Sequence, residues 1–392
     1  MKDNNTGTTA CSVKFHGTGR EYFSIWLTNI LPTIITFGIY SAWATVRRRC
    51  YFYGNLEIAG DRFNYHGKAI NILLRRIAVI VGLCIVFITM HYSESMGVLL
   101  YIFFIALIPF MIVRSWRYNA LMSSFRGIHF NFHVSLGAAY WALLIAPVLL
   151  TVAFCIIIIP LFAAGQFFEK SFAVITPNLL LVLMASAIVS GVVSAMWNSL
   201  CVNNMAFGNV KFSATLSKKK FINLALISHL FFIPGIILVL ALAACFFSTI
   251  THSVLFYFSN ADAVNLINIL YLSLILPSCL IIAVSGLLVG VHFSVVTRNY
   301  TYNQTFLGKG IKFKSVMRAG YYIRLLLGYG LLIVFTLGLA IPFARVRLFR
   351  YLAESTFLEG DLTLAQLKDH NEDAEVAVAE GFTSILDIDI TT

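Results

Sequence analysis

Charge is what this chain has least of. Only 11% of its 392 residues are Asp, Glu, Lys or Arg, where a soluble domain carries about 25%. So few charges cannot cover a surface facing water, and a mean hydropathy of +0.85 is more apolar sequence than one buried core absorbs. Part of the solvent is therefore lipid, and the chain is read as a multi-pass membrane protein. Acids are scarcest where they would matter most. Glu21, Glu57, Asp61, Glu94, Glu169, Asp262 and Glu354 all fall at segment ends or in loops. An ion-coupled transporter usually keeps a carboxylate in mid-membrane, so coupling through carboxylates is disfavoured.

Catalytic signatures are missing too. Gly308-Lys309-Gly310 lacks the glycine spacing and the Ser/Thr of a P-loop, and neither H-E-x-x-H nor G-x-S-x-G occurs. The chain is not read as an enzyme, and no cofactor is expected. Seven cysteines are scattered, mostly in apolar runs, with no C-x-x-C. They read as small apolar residues, with neither disulfides nor a metal site. Residues 1–13 are polar and no A-x-A site follows the first apolar run, which is then an uncleaved anchor.

What is present is a set of long apolar runs separated by one recurring pattern. Thr36, Gly38, Ala44, Val46, Arg47 and Tyr51 return 300 residues later as Thr336, Gly338, Ala344, Val346, Arg347 and Tyr351. With a one-residue slip, Glu354, Phe357 and Glu359 then meet Asn55, Ile58 and Gly60. The closing element, an apolar residue, Gly two on and an aromatic three further, is Ile58-x-Gly60-x-x-Phe63 in the first copy. It recurs as Phe125-x-Gly127-x-x-Phe130, as Phe207-x-Asn209-x-x-Phe212 and, more loosely, as Phe306-x-Gly308 with Phe313 two residues late. Such self-similarity is read as an internal repeat. The copies close near residues 65, 132, 213, 314 and 364. They divide the chain into a disordered N-terminus (1–12), a membrane domain (13–362) and an acidic tail (363–392).

Between the elements lie three pairs of spans: Ile77–Met90 with Val98–Val113, Ala139–Leu161 with Leu179–Met196, and Leu224–Phe247 with Leu266–Val296. Residues 1–353 hold 27 of the 28 basic residues and 7 of the 17 acids. Of those basic residues, Lys170 alone sits in a loop between paired spans. Short loops rich in Lys and Arg stay in the cytoplasm. The elements and both termini are therefore expected in the cytoplasm, with the loops near residues 94, 170 and 260 outside. The terminal apolar segments, Tyr22–Val46 and Leu325–Phe343, carry basic residues on both flanks. Each is read as a re-entrant hairpin, turning at Pro32 in the first and at Gly328-Tyr329-Gly330 in the last. The rival reading is two further plain spans that break the charge rule. The fold class is thus an all-α polytopic membrane protein: six full helices in three hairpins, two terminal re-entrant segments, and short cytoplasmic β elements.

In the closing elements, Gly60, Gly127, Asn209 and Gly308 read as left-handed helix stops. Phe63, Phe130, Phe212 and Phe313 then sit on short strands with one apolar face. Pairing of these strands into a β layer competes with a plainer reading, in which each aromatic is an anchor at headgroup level.

The strings Phe15-His16-Gly17-Thr18-Gly19, Thr36-Phe37-Gly38-Ile39-Tyr40-Ser41-Ala42-Trp43 and Val46-Arg47 resemble the YjgN-like family of bacterial inner-membrane proteins, whose defining domain is of unknown function. The resemblance runs from about residue 13 to the end, with Pro342-Phe343 in place of Ala42-Trp43 in the last copy. It implies the bacterial inner membrane and supplies no activity, substrate or catalytic residue.

Function is read from the remaining polar and helix-breaking residues. His229 and His292 lie in apolar spans and can titrate near neutral pH, although a histidine bonded to a neighbouring helix is the plainer reading. Pro32, Pro234 and Pro277 bend or break helices, and broken helices expose backbone groups able to line a pathway. Gly286-x-x-x-Gly290 and Ala187-x-x-x-Gly191-x-x-x-Ala195 are packing motifs that also allow a homo-oligomer. The basic clusters Arg47-Arg48-Arg49 and Lys218-Lys219-Lys220 fix topology and attract anionic headgroups at the cytoplasmic face. Nucleic acid is not an expected partner, because the positive charge is spread along a membrane surface. A transport or permeation protein is the first reading, and a non-transporting scaffold that binds anionic lipid or partner proteins the alternative.

Overall fold

A computed structural model describes residues 10–167, 172–256, 262–308 and 310–360. The expected outer loops near 170 and 260, most of the N-terminal stretch and the acidic tail lie outside the described residues.

The chain begins with strand β1 (Ala10–Phe15). Helix α1 (Gly19–Ile35) starts on a capping box: Thr18 Oγ1 accepts from the Glu21 amide at 3.3 Å and Glu21 accepts from the Thr18 amide at 3.4 Å. A tight turn at residues 36–40 leads into α2 (Ser41–Gly54), and the hairpin β2 (Leu56–Ile58) and β3 (Asp61–Tyr65) follows. The first long arm is α3 (Ala69–Tyr92) and α4 (Glu94–Leu121), followed by β4 (Ser123–Phe125) and β5 (Ile128–Phe132). The second runs through α5 (Leu136–Tyr140), a π-turn at Trp141–Ile145 and α6 (Ala146–Phe167), and returns in α7 (Phe172–Asn203) to β6 (Met205–Phe207) and β7 (Val210–Ala214). The third rises through α8 (Lys218–His229) and α9 (Phe232–Phe256) and returns in α10 (Asp262–Asn303) to β8 (Thr305–Leu307) and β9 (Ile311–Ser315). The last arm, α11 (Ala319–Phe335) and α12 (Ile341–Glu354), ends in β10 (Thr356–Glu359).

These ten strands close into one antiparallel barrel, which corrects the all-α class. Successive strands pair, and β1 closes the circle by splitting its length. Ala10, Cys11 and Ser12 pair with Glu359, Leu358 and Phe357 of β10, and Val13–Phe15 pair with β2. Ala10–Ser12, assigned by sequence to a disordered N-terminus, are therefore strand residues.

The glycines serve the strands rather than the helices. Helix α2 already ends at Asn55 and α4 at Met122. Ala59-Gly60 and Arg126-Gly127 are two-residue hairpin loops with φ of 52° and 91°, and 53° and 77°. Two successive positive φ values define the loop whose twist suits paired strands. In the third hairpin the positive φ belongs to Gly208, not to Asn209, and the loop joins Phe207 to Val210. The fourth loop, between Leu307 and Ile311, is one residue longer, so Leu307 rather than Phe306 faces inward, and Phe313 follows in register. At the C-terminal end no slip is needed. Ser355 caps α12 as Asn55 caps α2, and Leu358 is buried as Ile58 is.

The barrel interior is apolar. Phe15, Ile58, Phe125, Phe207, Leu307 and Leu358 are buried in one cluster, with Phe63, Phe130, Phe212 and Phe313 packed against it. Ring centroids of Phe63 and Phe125 lie 4.7 Å apart, and those of Phe130 and Phe207 4.8 Å. Side chains thus fill the barrel and leave no channel along its axis. The aromatics are core residues, and the reading of them as headgroup anchors is set aside.

All hairpin loops lie at one end of the barrel and all helical arms leave from the other rim. Around that rim every substantial helix–helix contact joins neighbours: α12 with α1, α1 with α2, α2 with α3, and so on to α11 with α12. The arms form a ring. Six helical stretches in the three long arms are long and apolar enough to cross a membrane. One close crossing is α7 on α8, where a Cβ at Gly191 would lie 2.8 Å from the Ile222 Cα and Ala187 and Ala195 are buried. Gly290 has no neighbour within 4 Å, so the Gly286–Gly290 motif does not serve this packing.

The terminal arms turn back at Thr36–Tyr40 and Thr336–Ala340, neither at Pro32 nor at Gly328–Gly330, which lie inside α1 and α11. The Gly38 amide reaches the Thr33 carbonyl and the Gly338 amide the Ile333 carbonyl, both at 2.8 Å, the six-to-one bond of a Schellman stop. Thr36 Oγ1 accepts from the Tyr40 amide at 3.0 Å and Thr336 Oγ1 from Ala340 at 3.1 Å. Phe37 and Leu337 take φ of 48° and 50°, a conformation costing about 1–3 kcal/mol each. Both side chains stand clear at the tips, 99% and 95% exposed.

Phe207, 3% exposed at the barrel centre, gives the fold its simplest test. Phe207→Ala removes a ring that partners Phe125 and Phe130 and should cost about 3–5 kcal/mol. A detergent-solubilised variant that melts with the parent protein would contradict this packing.

Candidate functional site

Where the arms meet the barrel, arginines gather. Arg49 of α2 donates to the Tyr65 hydroxyl at 2.6 Å and to Asn119 of α4. Arg47 donates to Asn29 Oδ1 at 3.2 Å. Arg76 of α3 bonds Ser41 and, at 3.0 Å, Thr45. Arg298 of α10 reaches Thr356 Oγ1 at 3.0 Å, and Arg350 of α12 reaches the Gly17 carbonyl at 2.8 Å. These partners are hydroxyls, amides and carbonyls, which hold a guanidinium in place without cancelling its charge. Burial pushes the Tyr65 phenol above its ordinary value, while Arg49 pulls it back.

Asp61 pairs with Arg126, and Glu359 with Lys314 at 3.2 Å, on the strands and hairpin loops, and Glu57 of β2 meets His16 at 2.8 Å where β1 leaves the barrel. The strands and loops still hold more basic residues (Lys14, Arg62, Arg126, Lys211, Lys312, Lys314) than acids (Glu57, Asp61, Glu359), so the barrel end is positive as the rim is.

Cavities open between the arms at that rim. One of about 500 Å³ lies between the bases of α3 and α4 and the start of α5, and contains Arg75, Arg114, Arg117 and His133. Another, of about 330 Å³ between the terminal arms, contains Asn29, Thr33, Arg48 and Arg345. A third, of about 420 Å³, is lined mainly by Tyr53, Phe63, Trp116, Phe130 and Cys201.

The sequence-derived candidates separate. His292 Nδ1 lies 2.8 Å from Ser228 Oγ, and His229 Nδ1 lies 2.8 Å from the Ala225 carbonyl. Both histidines therefore flank the break between α8 and α9, with Pro234 in the first turn of α9. Each bonds a neighbouring helical group, as the plainer reading expects. Pro277 lies inside a continuous α10 and Pro32 inside α1, away from that break. Lys218, Lys219 and Lys220 are exposed in the first turn of α8, while Arg48 and Arg49 are half-buried and Arg47 exposed. Gly60, Gly127, Gly208 and Gly308 are loop residues, and Phe63, Phe130, Phe212 and Phe313 belong to the barrel core. The cavity at Arg75, Arg114 and Arg117 escapes sequence reasoning, because these arginines come from separate helices. The available signal is a basic residue one turn inside each span.

A family model described as a bacterial protein of unknown function (DUF898) matches residues 10–385. The chain belongs to this family. It is 31% identical over 385 residues to the inner membrane protein YjgN of Salmonella typhimurium, covering 95% of this chain and 94% of the relative. It is 26% identical over 371 residues to the YjgN protein of Escherichia coli K12, covering 90% and 89%. No solved structure matches. Six span-capable helices and inner-membrane relatives together make this a multi-pass inner-membrane protein.

Arg49 is the rim cation with the firmest anchorage. Arg49→Ala leaves the Tyr65 hydroxyl and the Asn119 amide without their partner, a loss of about 1–3 kcal/mol. Thermal unfolding in detergent should show it, and Arg49→Lys should recover part.

Proposed function

We propose that this protein binds anionic amphiphiles in the inner membrane, seating their headgroups on the basic rim and their chains against the apolar ring of helices. The observation that carries the reading is the pairing of a positive rim with an uncharged ring. The described parts of the three long arms carry no Asp, Glu, Lys or Arg over residues 77–92, 96–113, 136–160, 178–203, 221–246 and 273–297. Side chains such as Ile80, Phe87, Ile102, Ile156 and Leu280 are exposed on these helices. Such surfaces suit acyl chains, whereas a polar solute would find few groups to replace its water. A transport reading based on an axial aqueous path loses support, because phenylalanines fill the barrel beneath the ring.

In this reading the barrel and both termini are cytoplasmic, as the Lys and Arg distribution favours. The terminal arms enter from the cytoplasm and return. Their helices of 17 and 14 residues reach roughly 26 and 21 Å at 1.5 Å per residue, short of a core about 30 Å thick. The 24 and 28 residues of the first long arm reach roughly 36 and 42 Å. The ring wall is thus lower at the terminal arms, and its interior opens sideways to the outer half of the bilayer. That opening favours a second reading, lateral movement of the amphiphile through the ring.

Lipid retention tests the function. In nanodiscs of mixed neutral and anionic phospholipid, native mass spectrometry should find anionic lipid enriched on the protein. Replacing Lys218, Lys219 and Lys220 by Gln should weaken the binding of anionic lipid by up to about a hundredfold, as loss of about 1 kcal/mol per basic residue implies. Retention at the bulk ratio would end this reading. Acceleration of fluorescent-lipid exchange between leaflets of proteoliposomes would favour the second reading, and none would leave binding alone.

A further inference from the structure

We infer that the cavity between the first and second long arms is a phosphate-headgroup site built around Arg75, Arg114 and Arg117. The inference rests on the lipid-binding reading and narrows it to one pocket and one chemical group. Its volume of about 500 Å³ lies in the range of small-molecule sites. Three guanidiniums and His133 line it, and no carboxylate does. Bringing three like charges to one half-enclosed space is unfavourable unless an anion joins them.

The arginines are also held for use. The Arg75 guanidinium lies 4.3 Å from the centre of the Tyr118 ring. That ring is 4% exposed, and its hydroxyl accepts from the Lys68 amide at 3.0 Å. Arg114 lies 5.7 Å over Phe110. At Arg75 the aromatic face orients the guanidinium while its N–H groups can turn to an anion. The second observation is Arg117: its Nε is buried and has no hydrogen-bond partner. A buried N–H of this kind is costly unless something accepts from it. Tetrahedral phosphate presents several oxygens to which guanidinium forks bond in pairs. Val113, Leu121 and Leu136 continue the cavity wall on its apolar side, where an acyl chain would leave toward the ring.

The shared chemistry is a phosphate group, on a lipid or free in solution, and the test separates these sources. The full-length protein is placed in phosphatidylcholine nanodiscs with a minor fraction of phosphatidic acid, and bound lipid is counted by native mass spectrometry. The double variant Arg75→Gln/Arg117→Gln should hold phosphatidic acid at least about tenfold more weakly. Arg117→Lys keeps the charge but loses the fork, so it should fall between the two. If the double variant does not fold, by elution and melting, Arg117→Lys alone decides. Inorganic phosphate is titrated against the protein in pure phosphatidylcholine. Binding of phosphatidic acid without inorganic phosphate assigns the site to a lipid, and displacement of one by the other assigns it to the phosphate group of either. Unchanged retention in both variants, with retention still lost on replacing Lys218–Lys220, overturns this site and spares the rim. Retention of neither anion by the unmodified protein overturns both.

Discussion

The antiparallel contact between the chain's two ends, β1 with β10, is the constraint on which the rest depends. No strand of this barrel exceeds six residues and several have three. Strand pairs this short do not stand alone in water. Closure lets each strand pair on both sides and removes edges that would otherwise recruit other chains. It also sets where everything else goes. Antiparallel order places all helix junctions at one rim, so every arm must leave from that rim and come back to it. A segment that leaves β1 and returns to its partner β2 comes back to the rim it left.

That geometry accounts for the distribution of charge. The paired carboxylates Asp61 and Glu359 sit on the strands and loops, while Glu21 caps a helix at the rim. Guanidiniums at the rim are anchored by Asn29, Tyr65, Thr356 and similar neutral groups. Neutral anchors preserve a positive field at the level where phosphate headgroups would lie, while the ring beyond carries no charge over long stretches. Apolar chain and anionic head are the two halves of one kind of molecule, the class we propose this protein binds. At the tips, Phe37 and Leu337 are held in left-handed conformation with their side chains exposed.

Much of this was legible in the residues. Six apolar runs of spanning length led to the six span-capable helices. The alternation around Phe63 and Phe130 pointed to strands. Register was less legible, because one inserted loop residue moves the inward position from Phe306 to Leu307, and periodicity alone does not see loop length. The terminal turns were misplaced because proline and paired glycines were given more weight than Thr36 and Gly38. Yet those two recur at Thr336 and Gly338, and their side-chain and backbone bonds make the stop. Barrel closure was hidden because it joins residues about 350 positions apart in sequence, beyond the reach of local pattern. The arginine cavity was hidden for a related reason, since its members meet only once the rim is built.

Closure can be measured with a residue already in place. Cys11 of β1 stands opposite Leu358 of β10. In a variant that keeps Cys11, replaces the other six cysteines and carries Leu358→Cys, mild oxidation in native membranes should form a bond between the two ends of one chain. Proteolysis between them should then leave the fragments joined until reduction. Failure to form that bond, or bonds only between separate chains, would contradict the closed barrel and with it the common rim from which the arms are hung.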